Sequence, residues 1–302
     1  MIEILGISFL SAFFLYILLK RPVARLLDRR GCPPYYAQCE TNLAFKDDQS
    51  EITMLILGDY GSGSDNQRIV AKAMERTARE KGCDLVLLAG DNFIQKGISS
   101  IEDEQLDTKF ESMYNLQVPF YAILGNHDLV GNWRAQIDYT AISERWNMPA
   151  TDYDFTAGPA QIYAINTTCS VKTLWRLFKK TDKSWRIGLG HHPAISSGRH
   201  GGMTWLERMI VAKSGIHFFI SGHNHALEHT TYGGFDQIVS GGGGSPIRKA
   251  KKKPLPNTRF FVEDYGYIWA QFTPAQASFH YLDNSGKEVY TFTRQKAGSG
   301  IQ

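Results

Sequence analysis

Apolar and polar residues alternate along the chain in blocks that predict strands and helices in turn. The apolar runs Ile52–Leu57 and Leu85–Leu88 are closed by glycine and are too short for helices, so they predict buried strands. Between them, apolar residues at helical spacing predict a helix over residues 66–81, with Asp65 as its N-cap. A strand, a glycine-rich turn, a helix and a second strand are typical of a βαβ unit in an α/β fold.

The same alternation continues to about residue 220 and then gives way to strands alone. Further helices are predicted over residues 101–113, 132–146, 171–179 and 203–213. Further strands are predicted over residues 120–124, 153–165 (two short strands), 185–189 and 217–220. An apolar run into the glycine tetrad at 241–244 and three runs at 267–272, 277–282 and 288–293 predict a final group of antiparallel strands.

The first residues of the chain have a different pattern. Residues 4–19 form an uncharged apolar run, and no basic start or small-residue cleavage site accompanies it, so we predict an uncleaved membrane anchor over residues 1–22. An unusual signal peptide is the alternative. The basic cluster at 20–30 follows the apolar run, which favours a large domain on the cytoplasmic side. We then expect a linker or surface clasp over 23–50, one folded domain over 51–295 and a flexible tail over 296–302.

Composition narrows the function. Apolar residues make up 43% of the chain, which is ordinary for a folded protein. The net charge of +3 arises within the first 30 residues, and the remainder holds 28 basic and 28 acidic residues, so nucleic acid is not an expected partner. Cys32 and Cys39 could form a disulfide in an oxidising compartment, or all four cysteines could be free thiols in a reducing one. Cys83 and Cys169 are most simply buried apolar groups.

Five predicted strands end in the same way, with glycine followed by a residue type that binds metals. Because the carboxyl ends of strands in an α/β sheet meet at one crevice, side chains far apart in sequence can converge there. Two carboxylates, an amide oxygen and three imidazoles suit a pair of ions such as Zn, Fe or Mn. The five sites are Gly58-Asp59, Gly90-Asp91, Gly125-Asn126-His127-Asp128, Gly190-His191 and Gly222-His223-Asn224-His225.

In order and spacing these five motifs resemble the calcineurin-like metallophosphoesterases, and among them the purple acid phosphatase branch. The resemblance covers about residues 52–244 and implies a four-layer αββα sandwich with two facing mixed β-sheets. It implies that one metal is held by Asp59, Asp91 and His225, and a second by Asp91, Asn126, His191 and His223, with Asp91 bridging the two. It also implies that His127 and His200 lie near the substrate without binding metal, as catalytic residues.

Such a centre has a defined chemistry. Two ions about 3.5–4 Å apart can each bind a phosphate oxygen and can generate hydroxide near neutral pH. We therefore expect hydrolysis of phosphate monoesters by direct attack of a metal-bound hydroxide, with His127 or His200 donating a proton to the leaving oxygen or holding the phosphate. The expected partners are a phosphorylated small molecule or phosphopeptide and, through the N-terminal helix, a membrane. Hydrolysis of phosphodiesters or pyrophosphate is an alternative, because the same two metals serve all three reactions.

One position departs from the family pattern. The purple acid phosphatase branch has a tyrosine ligand three residues after the bridging Asp, where this chain has Ile94. Other branches have a histidine two residues after the first Asp, where this chain has Gly61. Three interpretations follow: an additional water completes the first site around a divalent pair, Tyr60 or another residue takes the place, or only the second metal binds. In the last case the protein is a low-activity, phosphatase-like binding module.

Overall fold

The computed structural model describes residues 33–40, 42–169, 171–250 and 253–296. These residues form two mixed β-sheets with few helices. The strands are β1 (Asn42–Phe45), β2 (Ile52–Leu57), β3 (Leu85–Leu88), β4 (Phe120–Ala122), β5 (Trp146–Asn147), β6 (Tyr153–Ala157), β7 (Ala160–Ile165), β8 (Trp185–Gly190), β9 (Phe218–Ser221), β10 (Leu227–Tyr232), β11 (Phe235–Ser240), β12 (Thr258–Val262), β13 (Gly266–Phe272), β14 (Gln276–Asp283) and β15 (Glu288–Gln295). The α-helices are α1 (Asp65–Lys81), α2 (Glu104–Leu106), α3 (Trp133–Asp138) and α4 (Trp205–Lys213).

The seven-stranded sheet has the order β15-β14-β13-β2-β3-β4-β5. Strands β2 to β5 are parallel, whereas β13 to β15 run antiparallel along one side of β2. All residues of β2 and β3 are buried. This explains their continuous apolar runs, because a parallel strand is covered on both faces.

The eight-stranded sheet has the order β1-β6-β7-β8-β9-β11-β10-β12. Its central strands β7, β8, β9 and β11 are parallel to one another. The two sheets face each other across one apolar core. Tyr121 of the first sheet stacks on Phe155 of the second with ring centroids 4.0 Å apart, and Phe218 contacts Phe279 at 4.8 Å.

Helices cover the outer faces of both sheets. Helix α1 packs on the seven-stranded sheet, where Thr77 and Tyr267 share a hydrogen bond of 2.7 Å. Helix α4 and the 3-10 helix Thr173–Phe178 pack on the eight-stranded sheet through a second apolar cluster that includes Leu174, Leu177 and Val211. The predicted α/β fold with two facing mixed sheets between helical layers is confirmed.

Several predicted helices are shorter than the sequence pattern suggested. Residues 101–113 contain only α2 and a π-helical turn, Asp107–Glu111, and residues 171–179 form the 3-10 helix. The helix predicted over 132–146 ends at Asp138, apart from a 3-10 turn at Tyr139–Ala141, because Trp146 joins β4 as strand β5. Ser64, not Asp65, caps α1 by accepting a hydrogen bond from the Gln67 N–H. In each case tertiary pairing or local hydrogen bonding outweighs a weak helical preference.

Four strands were not predicted, namely β1, β5, β10 and β12. Strand β1 lies in the segment expected to be a linker or clasp and pairs in parallel with β6. Strand β10 was missed because its sequence, L-E-H-T-T-Y, is largely polar although four of its six residues are buried. Residues 1–22, the expected anchor, and 297–302 of the expected tail lie outside the described residues. Within the described ranges, no helix has both the length and the apolar character needed to cross a bilayer.

The cysteines differ from both alternatives drawn from the sequence. Cys39 is an exposed free thiol, so the short loop expected between Cys32 and Cys39 is not closed, and Cys83 is a half-buried free thiol. Cys169 is disulfide-bonded, so its expected role as a buried apolar group was wrong.

Candidate metal centre

The carboxyl ends of neighbouring strands converge where the sequence placed its candidate ligands. Asp59, Asp91 and Asn126 follow β2, β3 and β4, which are adjacent parallel strands. His191 follows β8 and His223 follows β9, which are adjacent in the facing sheet. The two sheets thus contribute their strand ends to one crevice, as the α/β topology predicted.

Asp91 lies at the meeting point of these loops. Its side chain is 2% exposed. Oδ1 accepts a hydrogen bond of 2.9 Å from the His127 backbone N–H, and Oδ2 lies 3.4 Å from Nε2 of His191. The same Nε2 atom is 3.2 Å from Oδ1 of Asn126. The structure therefore brings Asp91, Asn126 and His191 into mutual contact.

Asp59 forms the other side of the crevice. Its Oδ2 accepts a hydrogen bond of 2.7 Å from the His223 backbone N–H, and its Oδ1 lies 3.5 Å from Nε2 of His225. Oδ1 is buried and receives no hydrogen bond from any described residue. A buried carboxylate oxygen without a donor is costly unless a cation lies beside it.

The backbone at the candidate ligands is held in an unusual conformation. Five non-glycine residues of the described chain have a positive φ, and three of them are Asp59 (55°), Asp91 (53°) and His223 (67°). Such conformations cost about 1–3 kcal/mol each and persist where the surrounding structure imposes them. Glycines make room for both carboxylates, because a Cβ at Gly125 would lie 2.2 Å from Asp91 Oδ1 and one at Gly222 would lie 2.4 Å from Asp59 Oδ2.

The carboxylates and imidazoles of the crevice shift one another's pKa values. Burial, with the neighbouring imidazoles of His191 and His192, lowers the pKa of His223. Burial acts in the same direction on His191 and His225, but the carboxylates beside them outweigh it and raise the pKa of both imidazoles. The two carboxylates therefore favour a positive charge beside them, which is also the environment that suits a bound cation.

The ligand set fits metal ions. Ligand atoms of Asp59, Asp91 and His191 all lie within 4.8 Å of one another. His191 Nδ1 is 2.9 Å from the Ala89 carbonyl, and His225 Nδ1 is 2.7 Å from the Pro246 carbonyl. Each of these rings thus has Nδ1 engaged by a backbone oxygen and presents Nε2 to the crevice, an arrangement that metal-binding histidines commonly have.

Asp128 supports the centre and was not singled out from the sequence as a separate residue. It is fully buried and accepts hydrogen bonds from the backbone N–H groups of Gly125, Asn92 and Phe93 and from the Gln136 side chain. Burial and the charge of Asp91 raise its pKa to about 6. Asp128 joins the loop that carries Asn126 to the loop that carries Asp91. The feature of the sequence that could have identified Asp128 is its position two residues after the candidate ligand Asn126.

The two expected catalytic histidines lie at different depths. His127 is half-buried and is positioned by its backbone contact with Asp91. His200 is exposed, and its backbone N–H donates a 2.8 Å hydrogen bond to Oδ1 of Asn224. The ring of His200 lies 5.0 Å from that of His223 and 6.3 Å from that of His225. The structure thus places His200 at the mouth of the crevice beside two candidate ligands.

His192 is a further histidine at this mouth that the sequence did not indicate. Its ring lies 4.3 Å from that of His223, and its Nδ1 is 3.1 Å from Oγ1 of Thr167. His192, His200 and His223 line a small cavity together with Pro193, Gly201, Gly202 and Met203. Its position directly after His191 was the signal available in the sequence.

The positions expected to provide one more ligand do not provide it. Ile94 is half-buried and aliphatic, and its backbone N–H donates to the Gly61 carbonyl at 3.0 Å. A Cβ at Gly61 would lie 1.8 Å from the Asn92 carbonyl oxygen, so no side chain fits there. Tyr60 is fully buried, and its hydroxyl donates a 3.1 Å hydrogen bond to Oδ1 of Asn92. Burial raises the pKa of Tyr60 well above its ordinary value.

Comparisons with known proteins agree with this geometry. The sequence model of the family described as calcineurin-like phosphoesterase matches residues 52–227. Purple acid phosphatase 7 of Arabidopsis thaliana is 25% identical over 294 residues, covering 85% of this chain and 90% of the relative. Tartrate-resistant acid phosphatase type 5 of Homo sapiens is 28% identical over 266 residues, covering 73% of this chain and 82% of the relative.

A solved structure shares the fold. The structure titled "GAP50 the anchor in the inner membrane complex of Plasmodium" superposes with a TM-score of 0.73 at 21% identity, covering 82% of this chain and 90% of that one. At this level of identity the similarity concerns the fold alone.

Proposed function

Because this chain belongs to the calcineurin-like phosphoesterase family, we propose that it hydrolyses phosphate monoesters at a pair of metal ions. Family membership and the acid phosphatase relatives support a metal-dependent phosphoric ester hydrolase. The observation that carries the proposal is the buried cluster of Asp59, Asp91 and His191, in which Oδ1 of Asp59 receives no hydrogen bond from any described residue.

The residues that would hold the ions follow from this arrangement. Asp59, Asp91 and His225 would hold the first ion, and Asp91, Asn126, His191 and His223 the second. When bound, the ions would neutralise the charge of the phosphate and lower the pKa of a coordinated water. A carboxylate oxygen of Asp91 lies within 4.8 Å of ligand atoms of both Asp59 and His191, so the proposal gives Asp91 the bridging position.

The histidines at the mouth would act on the phosphate. The backbone N–H of His127 donates to Asp91, which holds this residue beside the carboxylate that the two halves would share. Burial, the charge of His225 and those of Arg248 and Arg199 lower the pKa of His200. We infer that His200 is neutral near pH 7 and donates a hydrogen bond to a phosphate oxygen, while His127 serves the leaving oxygen.

Membrane anchoring is also part of the proposal. It is supported by the uncharged apolar run at residues 4–19. The expected orientation, with the domain facing the cytoplasm, stays a prediction. The disulfide at Cys169 argues for the opposite side, because disulfides persist mainly in oxidising compartments.

A second function, that of a phosphatase-like binding module, is favoured by one observation, namely that neither position 94 nor position 61 provides a ligand. Metal analysis of protein purified without added metal, with a substrate panel across pH, separates the two. We expect about two ions per chain and release of phosphate from an aryl monoester in preference to a bis-aryl diester or pyrophosphate. About one ion per chain with no release would establish the binding module, and preferential diester or pyrophosphate cleavage would correct the substrate class.

A further inference from the structure

One outer surface of the domain exposes large apolar side chains next to one another. On the 3-10 helix Thr173–Phe178, Trp175 is 59% exposed and Phe178 is 38% exposed, with ring centroids 5.2 Å apart. The same helix buries Leu174 and Leu177 against the eight-stranded sheet. The aromatic pair is therefore not needed for the core, and adjacent exposed aromatics usually mark an interaction surface.

The neighbouring helix extends this surface. Helix α4 packs beside the 3-10 helix and exposes Met209 by 45%. Lys213 lies one turn further along the same face of α4 and is exposed. We call the surface formed by these side chains the aromatic face. It consists of Trp175, Phe178 and Met209 with the lysines Lys172, Lys180 and Lys213.

The charge around the aromatic face is positive. Residues 171–180 contain four basic residues and no acidic residue. Arg176 and Lys179 form ion pairs with Asp154, which fix the 3-10 helix to the sheet. Lys172 and Lys180 are exposed and form no ion pair with any described residue. Two lysines without an ion-pair partner among the described residues thus flank the aromatic pair, and basic residues beside exposed aromatic rings are the combination that membrane-surface helices present.

The chain enters the domain next to the aromatic face. The carbonyl oxygen of Pro33 is 3.9 Å from Sγ of Cys169, which precedes the 3-10 helix by four residues. The ten residues 23–32 between the expected anchor and Pro33 can span at most about 36 Å even if fully extended. An anchor in a bilayer would therefore keep this edge of the domain within about 36 Å of the lipid surface.

We propose that the aromatic face lies on the surface of the bilayer, with Trp175 and Phe178 at the depth of the headgroups. This inference rests on the proposed membrane anchoring but not on the proposed hydrolase activity. Aromatic side chains are favoured at that depth, because their apolar rings leave water while their edges stay near polar groups. Lys172 and Lys180 would contact the lipid phosphates.

The test uses the full chain in vesicles that contain brominated lipids, which quench the fluorescence of tryptophans at the membrane. Flotation first establishes whether the chain binds the vesicles at all. We expect Trp175→Phe to lose most of the bromolipid quenching in vesicles that contain phosphatidylserine, since phenylalanine keeps the apolar contact and removes the fluorophore. The matched control is Ile69→Trp, 45% exposed on α1 at the opposite outer layer, which should add fluorescence that is not quenched.

A double change, Lys172→Glu with Lys180→Glu, tests the charge. We expect it to reduce quenching in anionic vesicles and to leave the weaker quenching in neutral phosphatidylcholine vesicles unchanged. The unfolding midpoint of each variant shows that the fold is kept, because all the changed side chains are exposed. Equal quenching of Trp175→Phe and the parent chain in vesicles that they both bind would overturn the inference and leave a protein as the partner of this face. A chain that does not float with vesicles would overturn the anchoring and the inference together.

Discussion

The two halves of the candidate metal centre differ in how completely the protein builds them. In the proposed assignment the second-metal half comprises Asn126, His191 and His223, and Nε2 of His191 lies within 3.4 Å of both Asn126 and the shared Asp91. The first-metal half comprises Asp59 and His225 besides Asp91, and Oδ1 of Asp59 is buried without a hydrogen bond from any described residue. We therefore expect the first half to depend more on an ion and on added water than the second half does.

The cause of this difference lies in the backbone. The loops after β2 and β3 are in direct contact, with the Ile94 N–H bonded to the Gly61 carbonyl. This contact leaves no space for a side chain at Gly61 and makes position 94 the remaining place for a ligand. A single aliphatic residue there would remove a ligand from one ion and leave the other half intact. We therefore expect two sites that share a carboxylate to differ in affinity through one side chain.

The largest effect is expected when the carboxylate of Asp91, which both halves would share, is removed. Asp91→Asn keeps the shape of the side chain but leaves a neutral amide where a bridging charge is needed, so both ions should be lost. We expect monoester hydrolysis to fall by about 10³-fold or more, measured as kcat/KM together with metal content. Asp65→Asn, at an exposed carboxylate on α1, is the control and should match the parent protein. Retention of two ions by Asp91→Asn would remove Asp91 from the bridging position.

A paired change separates the halves. His225→Asn should empty the first site and leave about one ion per chain, whereas His191→Asn should weaken the second site, each lowering activity by about 100-fold. Titration of metal-free protein is the more direct measurement. The parent and His225→Asn should bind the first equivalent with equal affinity, because that ion enters the half with more ligands, and only the parent should bind a second. Loss of the first, tight equivalent in His225→Asn would reverse the ranking of the halves.

The smallest effect on rate is expected when a tyrosine ligand is added to the first half at position 94. Ile94→Tyr should raise iron occupancy of the first half and give a visible absorption band from tyrosinate, with activity changed by less than about tenfold. Ile94→Phe, which adds the ring without the oxygen, should give neither the band nor the added occupancy. If activity appears only in the Ile94→Tyr variant, the parent protein is a binding module rather than an enzyme.

The candidate ligands could be predicted from sequence because each follows a buried strand. Burial of β2, β3 and β4 produces unmistakable apolar runs, and the residue after each run lies at the sheet edge by geometry alone. The four-layer fold followed from the same runs through the family resemblance. The short helices could not be predicted in this way. Residues 132–146 have helical spacing, yet Trp146 gains more by pairing in β5 and donating its Nε1–H to the Gln136 carbonyl.

The hydrogen bonds that support the site could likewise not be predicted from the sequence. Asp128 and Asn224 stand within recognised motifs, but only the fold shows that Asp128 ties three backbone N–H groups together and that Asn224 positions the His200 backbone. Strand β10 was missed because its buried polar residues are satisfied by partners that the sequence does not identify. Glu228, for example, accepts the Ser197 N–H and the Thr230 hydroxyl.

The sequence by itself determined the sheet edges, the family and the set of residues able to bind ions, because strand periodicity and residue chemistry are local properties. The tertiary structure alone decided which of those residues meet, that the two halves are unequal, and that an aromatic face lies beside the point where the chain enters the domain. Those features depend on distances between loops far apart in the chain. Such distances are set by the packing of two sheets and not by any one segment.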